Sequence, residues 1–392
     1  MLLPLYKIEE ARGYLTSTQS SRHKGRGDIR ALYALWRSRP APRETGCMQY
    51  TCLGNTGLIV SRLAFGAMTF GASDGPMASI MKVDEDEAKQ LVDRCLDAGI
   101  TFFDTADAYA GGQSEELLGK ALGKRRKDVV LATKVGFRTG PALHETGLSR
   151  RHIISGCEAS LRRLGTDYID VYLAHRVDPY TPLEETLGAF NNLVRRGLVR
   201  YIGFSNWNAW QAAVAVGVQR ANSWARFVAA QMYYSLLGRD MEHELVPFFE
   251  HSNIGAMVWS PLAGGFLTGK YTRQDPTGGG GRITGFDFLP MDKESAYDLV
   301  DQMREMGDRY KATVAQIALA WLLSKPYVST IILGASNTQQ LEDNLGATNF
   351  TLSAEDLTLL DQLTRPKQIY PNWFNRKTGD VPVAEALGNP VS

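Results

Sequence analysis

The sequence predicts an α/β protein built as a closed (β/α)8 barrel, a TIM barrel. Three observations carry this expectation. Eight short β-runs alternate with helical stretches from residue 62 to about residue 347, and strict β-α alternation makes a parallel sheet. The runs are nearly continuous in Val, Ile, Leu and Ala, as where both faces of a strand are buried. The rival architecture, an open doubly wound sheet, calls for G-x-G-x-x-G after its first strand, and the chain there reads AMTFGASDG.

The elements follow in order. YTCLGNTGLIVS is two β-runs around Asn55-Thr56-Gly57, a hairpin signal ahead of the barrel. RLAFG is the first barrel strand. In VDEDEAKQLVDRCLDAG, Asp84 is an N-cap candidate, Ala88, Leu91, Val92, Cys95 and Leu96 share a face, and Gly99 ends the helix. Strand ITFFD and helix SEELLGKALG come next, then strand DVVLATK and helix SRRHIISGCEASLRRLG. Strand YIDVYLAH and helix PLEETLGAFNNLVRRG follow, then strand VRYIGFS, helix NAWQAAVAVGV and strand FVAAQM. A helix around MEHELVPFFEHS leads to strand IGAMVWS and a Gly-rich loop at GGGGR. Helices AYDLVDQMREMGDRY and VAQIALAWLLSK precede strand VSTIILG and helix TQQLEDNLGA.

Residues 1–47 read differently. Nine Lys/Arg stand against four Asp/Glu, STQSSRHKGRGD has no usable periodicity, and RPAPRETG is a Pro-rich linker. The expectation is a disordered extension, or an upstream start ahead of Met48. A targeting or partner-binding arm is the alternative. MLLPLYKIEE has neither the basic start nor the long apolar stretch of a signal peptide. Residues 48–392 are expected to form one barrel domain.

Composition narrows the function. The 392 residues carry 43 Lys plus Arg and 42 Asp plus Glu, a net charge of +1. That balance gives no electrostatic case for nucleic acid or for an anionic membrane. Hydrophobic residues make up 44% and charged residues 22%, which excludes global disorder. No apolar run reaches the roughly 18 residues of a membrane span. Cys47, Cys52, Cys95 and Cys157 form no C-x-x-C pair and no zinc-spaced cluster. They read as reduced thiols in a cytoplasmic compartment, with no metal.

A barrel puts its chemistry at the C-terminal ends of its strands. The second strand ends in Asp104, with Tyr109 five residues on; the third ends in Lys134 and the fourth in His175. Each alone has an ordinary explanation: a turn residue, a packed ring, a solvent-seeking lysine, a core histidine. At the ends of three adjacent strands they converge on one mouth, and together they make a reaction. Tyr109 is a proton donor that stays loaded at neutral pH. Lys134 beside it favours the phenolate, and Asp104 holds the lysine charged. His175 can donate a hydrogen bond to a carbonyl oxygen. The set supplies no electrons, so a hydride must come from a cofactor, most simply a nicotinamide.

On FDTADAYAGGQSEELLG, VVLATKVG, LRRLGTDYIDVYLAHRVDP, RRGLVRYIGFSN, WSPLAGGFLTGKY and GASNTQQLEDNL, over about residues 48–365, the chain resembles an aldo-keto reductase. The nearest subgroup holds the bacterial reductases related to potassium-channel β-subunits. The resemblance implies a catalytic tetrad of Tyr109, Asp104, Lys134 and His175, and a nicotinamide cofactor extended across the barrel mouth. It places Ser205, Asn206 and Gln231 at the carboxamide and Trp259 against the nicotinamide ring. Ser260, Leu262, Gly264, Leu267 and Lys270 fall at the pyrophosphate and ribose. Ser336, Asn337 and Gln340 fall near the 2′ position, and Asp343 and Asn344 near adenine. One departure matters: Asn337 stands where relatives usually have Arg, so cationic pairing to a 2′-phosphate is lost there. Lys270 or Arg282 can compensate. NADP(H) is the first expectation, NAD(H) the second.

Candidate pocket walls are Met68, Phe70, Phe137, Arg138, Arg176 and Trp207, with Tyr370 and Trp373 in a C-terminal tail over the mouth. The expected activity is reversible reduction of an aldehyde or ketone to the alcohol, in a monomer or homo-oligomer. A non-catalytic nicotinamide-binding regulatory subunit is the alternative. A lyase using Lys134 as a Schiff-base nucleophile is disfavoured by the neighbouring Tyr109 and Asp104.

Overall fold

The computed structural model describes residues 47–74, 77–279, 283 and 287–388. The expected extension over residues 1–47 lies outside this set except for Cys47, as does Arg282. Thr45–Ser392 forms one compact unit.

The hairpin forms as expected: β1 (Tyr50–Cys52) pairs antiparallel with β2 (Ile59–Ser61), Cys52 opposite Ile59. The barrel strands are β3 (Leu63–Gly66), β4 (Phe102–Asp104), β5 (Val130–Val135), β6 (Ile169–Ala174), β7 (Val199–Ser205), β8 (Phe227–Tyr233), β9 (Gly255–Trp259) and β10 (Val328–Leu333). They are all parallel, and β10 returns beside β3 to close the ring.

Strand periodicity divides the side chains into two sets. Ala64, Phe102, Val130, Ala132, Val171, Leu173, Ala229, Met257 and Ile332 pack together inside the barrel. Leu53 and Val60 of the hairpin join them. Gly54 lies against the backbone of Val228 and Gly255, so the hairpin closes the end where strands begin. Alternate residues, such as Phe103, Leu131, Tyr172 and Phe204, face the helices in the larger outer core. Gly203 is inward, and a Cβ there would sit 2.4 Å from the Ala229 carbonyl oxygen, so β6, β7 and β8 meet only around a glycine.

Helix starts follow cap chemistry. Asp84 and Glu87 form a capping box for Glu85–Asp97, whose buried face is the expected Ala88, Leu91, Val92 and Cys95. Two boundaries differ from expectation. The helix read from Ala296 begins at Lys293, because the Asp292 carboxylate accepts from Glu294 N. The helix read from Met241 begins at Leu245, behind a 3-10 turn over Asp240–Glu242, and its N-cap residue Glu244 makes no side-chain cap. Helices at Ala354–Leu363, Asn372–Lys377 and Val381–Ala386 follow the last barrel unit and had no counterpart in the sequence reading.

Candidate active site

The inward register that builds the apolar plug continues upward into polar residues. Phe102 and Asp104 are two apart, as are Val130, Ala132 and Lys134, and Val171, Leu173 and His175. Pairing of Phe102 with Val130, and of Lys134 with Leu173, aligns these columns. The top layer of the barrel interior is therefore Asp104, Lys134 and His175, all buried. Gln231 stands two beyond Ala229, and Ser205 two beyond Gly203.

Lys134 is the hub, with no solvent exposure. Its Nζ donates to Asp104 Oδ2 at 2.7 Å, to the Thr105 carbonyl at 2.6 Å and to the Tyr109 hydroxyl at 3.3 Å. Burial works against its charge, but Asp104 and the phenol outweigh it and hold the ammonium above its ordinary range. The second Asp104 oxygen accepts from Gln231 Nε2 at 2.7 Å. His175 is pushed well below its ordinary range by burial, then by Lys134 and Arg176, so its imidazole is neutral. Its ring meets Tyr109 edge-on at 5.7 Å and Phe137 edge-on at 4.5 Å.

Tyr109 stands on a short 3-10 turn, Tyr109–Gly112, whose Ala110, Gly111 and Gly112 all have positive φ. At Gly112 a Cβ would lie 2.8 Å from Arg163 Cδ, so the turn both needs left-handed backbone and leaves no room. Beneath it lies a buried polar layer that sequence reasoning missed. Glu115 accepts from Thr133 Oγ1 at 2.5 Å and from Arg163 Nε at 2.6 Å. Asp107 is 1% exposed, and the nearest group to help its carboxylate is the adjoining Ala108 backbone. Burial, with Glu115 adding to it, pushes its carboxyl up to about 8. Both acids stand in DTADAYAGGQSEELLG, but nothing in the string marks them as buried.

The residues expected at a cofactor form a linked arc over β7, β8, β9 and β10. Ser205 Oγ donates to the Gln231 carbonyl at 2.8 Å. Asn206, at φ 58°, donates from Nδ2 to the His175 carbonyl and to Ser205 Oγ, and accepts from Trp259 Nε1 at 3.1 Å. Trp259 is half-buried and its ring lies 5.2 Å from that of Tyr233. After β9, Ser260, Ala263, Gly264 and Gly265 all have positive φ, and Ser260 Oγ accepts from Gly264 N at 3.0 Å. Leu262 is half-buried, Lys270 is exposed and its Nζ lies 5.1 Å from the Tyr271 ring centre. Leu267 is wholly buried.

After β10, the Asn337 side chain accepts from Gln340 N at 2.9 Å and caps the helix Thr338–Leu345. Gln340 Oε1 accepts from Ser336 N at 2.9 Å. Asp343 Oδ1 accepts from Thr313 Oγ1 and Gln316 Nε2, each at 3.1 Å, and Asn344 is buried.

Several expected pocket walls need correction. Phe70 is wholly buried and packs on Phe65 at 5.6 Å, so it is core. Trp207 is 4% exposed between Phe204 and Phe227, so it is core as well. Arg138 donates to the carbonyls of Gly140 and Ala142 and closes its own loop. Tyr370 and Trp373 contact each other and Phe374, and Asn372 Nδ2 anchors their segment on the His243 carbonyl. These contacts seat the segment on the loop after β8, at the end of the barrel where its strands finish. Met68, half-buried, and Phe137, 38% exposed, do stand at strand ends around the site, as does Arg176, stacked 4.7 Å over Phe137.

Known proteins resemble this chain over most of its length. The model of the aldo/keto reductase family matches residues 62–365. The chain is 39% identical over 309 residues to a "Probable voltage-gated potassium channel subunit beta" of Arabidopsis thaliana, covering 76% of this chain and 91% of the relative. It is 34% identical over 346 residues to versiconal hemiacetal acetate reductase of Aspergillus parasiticus, covering 83% of this chain and 99% of the relative.

Proposed function

This chain belongs to the aldo/keto reductase family, and we propose that it is a nicotinamide-dependent carbonyl reductase in which Tyr109 is the acid/base. The observation that carries the reading is one buried ammonium, Lys134 Nζ, shared between Asp104 and the Tyr109 hydroxyl at the barrel mouth. A nicotinamide dinucleotide, when bound, supplies the hydride. The residues fit such a group: a half-buried indole, left-handed backbone after β9 and a helix N-terminus after β10 lie on one arc. Trp259 takes the ring, and Ser205, Asn206 and Gln231 the carboxamide end. Ser260, Leu262, Gly264, Leu267 and Lys270 take the diphosphate and ribose, and Ser336, Asn337, Gln340, Asp343 and Asn344 the adenosine end.

The protein's own steps are proton steps. Neutral His175 donates a hydrogen bond to the substrate carbonyl oxygen, polarising it and fixing its position. As negative charge grows on that oxygen, the Tyr109 hydroxyl gives it a proton. Lys134 stays protonated and stabilises the phenolate left behind. Asp104 keeps the lysine in place, and Gln231 keeps Asp104 in place. In alcohol oxidation the same groups run in reverse.

We take NADP(H) over NAD(H) on the family resemblance, with a weak preference, because Asn337 brings no charge and its side-chain oxygen is already occupied as a helix cap. Among the described residues no helix is long and apolar enough to cross a membrane. All four cysteines are unpaired, which supports a reducing, cytoplasmic location. The test is a panel of aldehydes, ketones and alcohols with NADPH and NADH. Steady turnover of a carbonyl supports the reading. Cofactor binding without turnover of any carbonyl, even in a single-turnover experiment, would favour a non-catalytic nicotinamide-binding subunit; the Arabidopsis relative is named as a channel subunit.

A further inference from the structure

We propose that Arg176 recognises an anionic group on the substrate, so that the preferred substrate is an aldehyde or ketone with an apolar body and a carboxylate or similar anion. The proposal rests on the reductase reading above.

Placement comes first. The arc read as cofactor site spans the ends of β7 to β10. The ends of β3 to β6 remain for the substrate, and Met68, Tyr109, Phe137, His175 and Arg176 stand there. Arg176 follows His175 directly. Its guanidinium lies over the Phe137 ring at 4.7 Å, and that ring abuts His175, which abuts Tyr109. Stacking holds the planar fork in a restricted orientation, so less freedom is lost when it forms hydrogen bonds.

Neighbouring charges are already used. Asp178, two residues on, accepts from Leu148 N at 2.6 Å, Tyr180 N at 2.9 Å and Thr181 Oγ1 at 2.6 Å. Glu145 accepts from Ala142 N at 2.8 Å. Arg138 serves the carbonyls of its own loop. Among the described residues Arg176 makes no hydrogen bond or ion pair of its own; its charge helps hold the Asp178 carboxyl low, but both Asp178 oxygens are taken by Leu148, Tyr180 and Thr181. A pre-oriented guanidinium with its hydrogen-bond donors unused, beside a neutral imidazole, is complementary to an anion, and bidentate pairing favours a planar carboxylate. The partly exposed Phe137 face supplies the apolar surface next to it.

The experiment compares 4-carboxybenzaldehyde with its neutral methyl ester, and 4-oxobutanoate with its methyl ester. Reduction by the full-length protein is followed by nicotinamide absorbance in the parent, Arg176→Gln and Arg176→Lys. The expected parent preference for the acids is about tenfold in kcat/KM, the lower end for a charge-assisted contact at a partly solvated site. Arg176→Gln should remove that ratio, and Arg176→Lys should keep part of it. Added salt should shrink the ratio in the parent but not in Arg176→Gln. Equal rates on acid and ester in the parent, or a preference that survives Arg176→Gln, would overturn the proposal and leave the reductase reading standing. Binding of cofactor with reduction of none of the four would overturn both.

Discussion

Removing Lys134 should separate what the buried ion pair does for stability from what it does for chemistry. Lys134 is fully buried and meets Asp104 at 2.7 Å and the Thr105 carbonyl at 2.6 Å. Lys134→Met keeps the volume and deletes the charge, leaving the Asp104 carboxylate buried with only Gln231. Breaking a buried pair from one side costs about 3–5 kcal/mol. Removing both charges, in Lys134→Met with Asp104→Asn, should recover roughly half of that, since the orphaned charge is gone. Activity should behave otherwise. At 3.3 Å from the Tyr109 hydroxyl, an ammonium attracts a phenolate by about 5 kcal/mol at an effective dielectric of about 20. Only the part gained as the proton leaves counts, so kcat should fall by about 10²–10⁴ in the single variant. The double variant should stay equally slow. The assay is urea denaturation of parent, both single variants and the double, beside kcat on the best carbonyl found. A double variant as unstable as Lys134→Met, or a kcat within about tenfold of the parent in either, would refute the arrangement of charges argued here.

Further outcomes follow from the same site. Tyr109→Phe should cut turnover by about 10²–10⁴ with cofactor Kd nearly unchanged, and activity within about twofold of the parent would remove Tyr109 from the chemistry. Asp107→Asn should stabilise the protein more at pH 9 than at pH 5. The folded carboxyl keeps its proton up to about 8 while the unfolded one loses it near 4, so Asp107 makes the parent less stable as pH rises through that window. Parallel pH–stability curves for the two proteins would show that Asp107 does not titrate there. Asn337→Arg should tighten NADPH by about tenfold, leave NADH nearly unchanged and cost about 1 kcal/mol through the lost cap. A parent that already prefers NADPH a thousandfold, with nothing added by the arginine, would place the phosphate elsewhere.

The barrel and the tetrad were legible because both rest on local periodicities. Eight apolar runs set the strands, and a polar residue at the end of a run is visible without knowing any contact. Contacts set by loops were not legible. Phe70 and Trp207 are aromatic residues just beyond strand ends, where a pocket wall and a core residue look alike; here the first packs on Phe65 and the second between Phe204 and Phe227. Tyr370 and Trp373 lie beyond the last barrel unit, and their segment is tied to the loop after β8 by contacts far apart in sequence, among them Asn372 to the His243 carbonyl and Arg239 to Thr364. The Asp107 and Glu115 layer was quoted in the family-like string but had no role there, since burial of an acid shows only once the turn at Tyr109–Gly112 folds over it.

Register joins the fold to the chemistry. Along β5 the inward residues are Val130, Ala132 and Lys134, and the outward ones Leu131, Thr133 and Val135. A slip of one residue would send Leu131 and Val135 into the barrel, move Lys134 among the helices and lift Glu115 off Thr133. The lower inward layer, Phe102, Val130, Ala132 and Val171 with Leu53 and Val60, makes that slip unfavourable by filling the closed end with apolar volume. The same strands then have no freedom left in where they place Asp104, Lys134 and His175. Substitutions in the two layers should therefore differ in kind. Val171→Ala should lower stability by about 1–3 kcal/mol through the cavity it leaves, with kcat little changed in the molecules that remain folded. Changes at Lys134 should lower kcat even where a second substitution restores stability. A Val171→Ala protein that stays fully folded yet loses activity would mean that the lower layer also positions the reacting groups, and that the plug and the site are not separable.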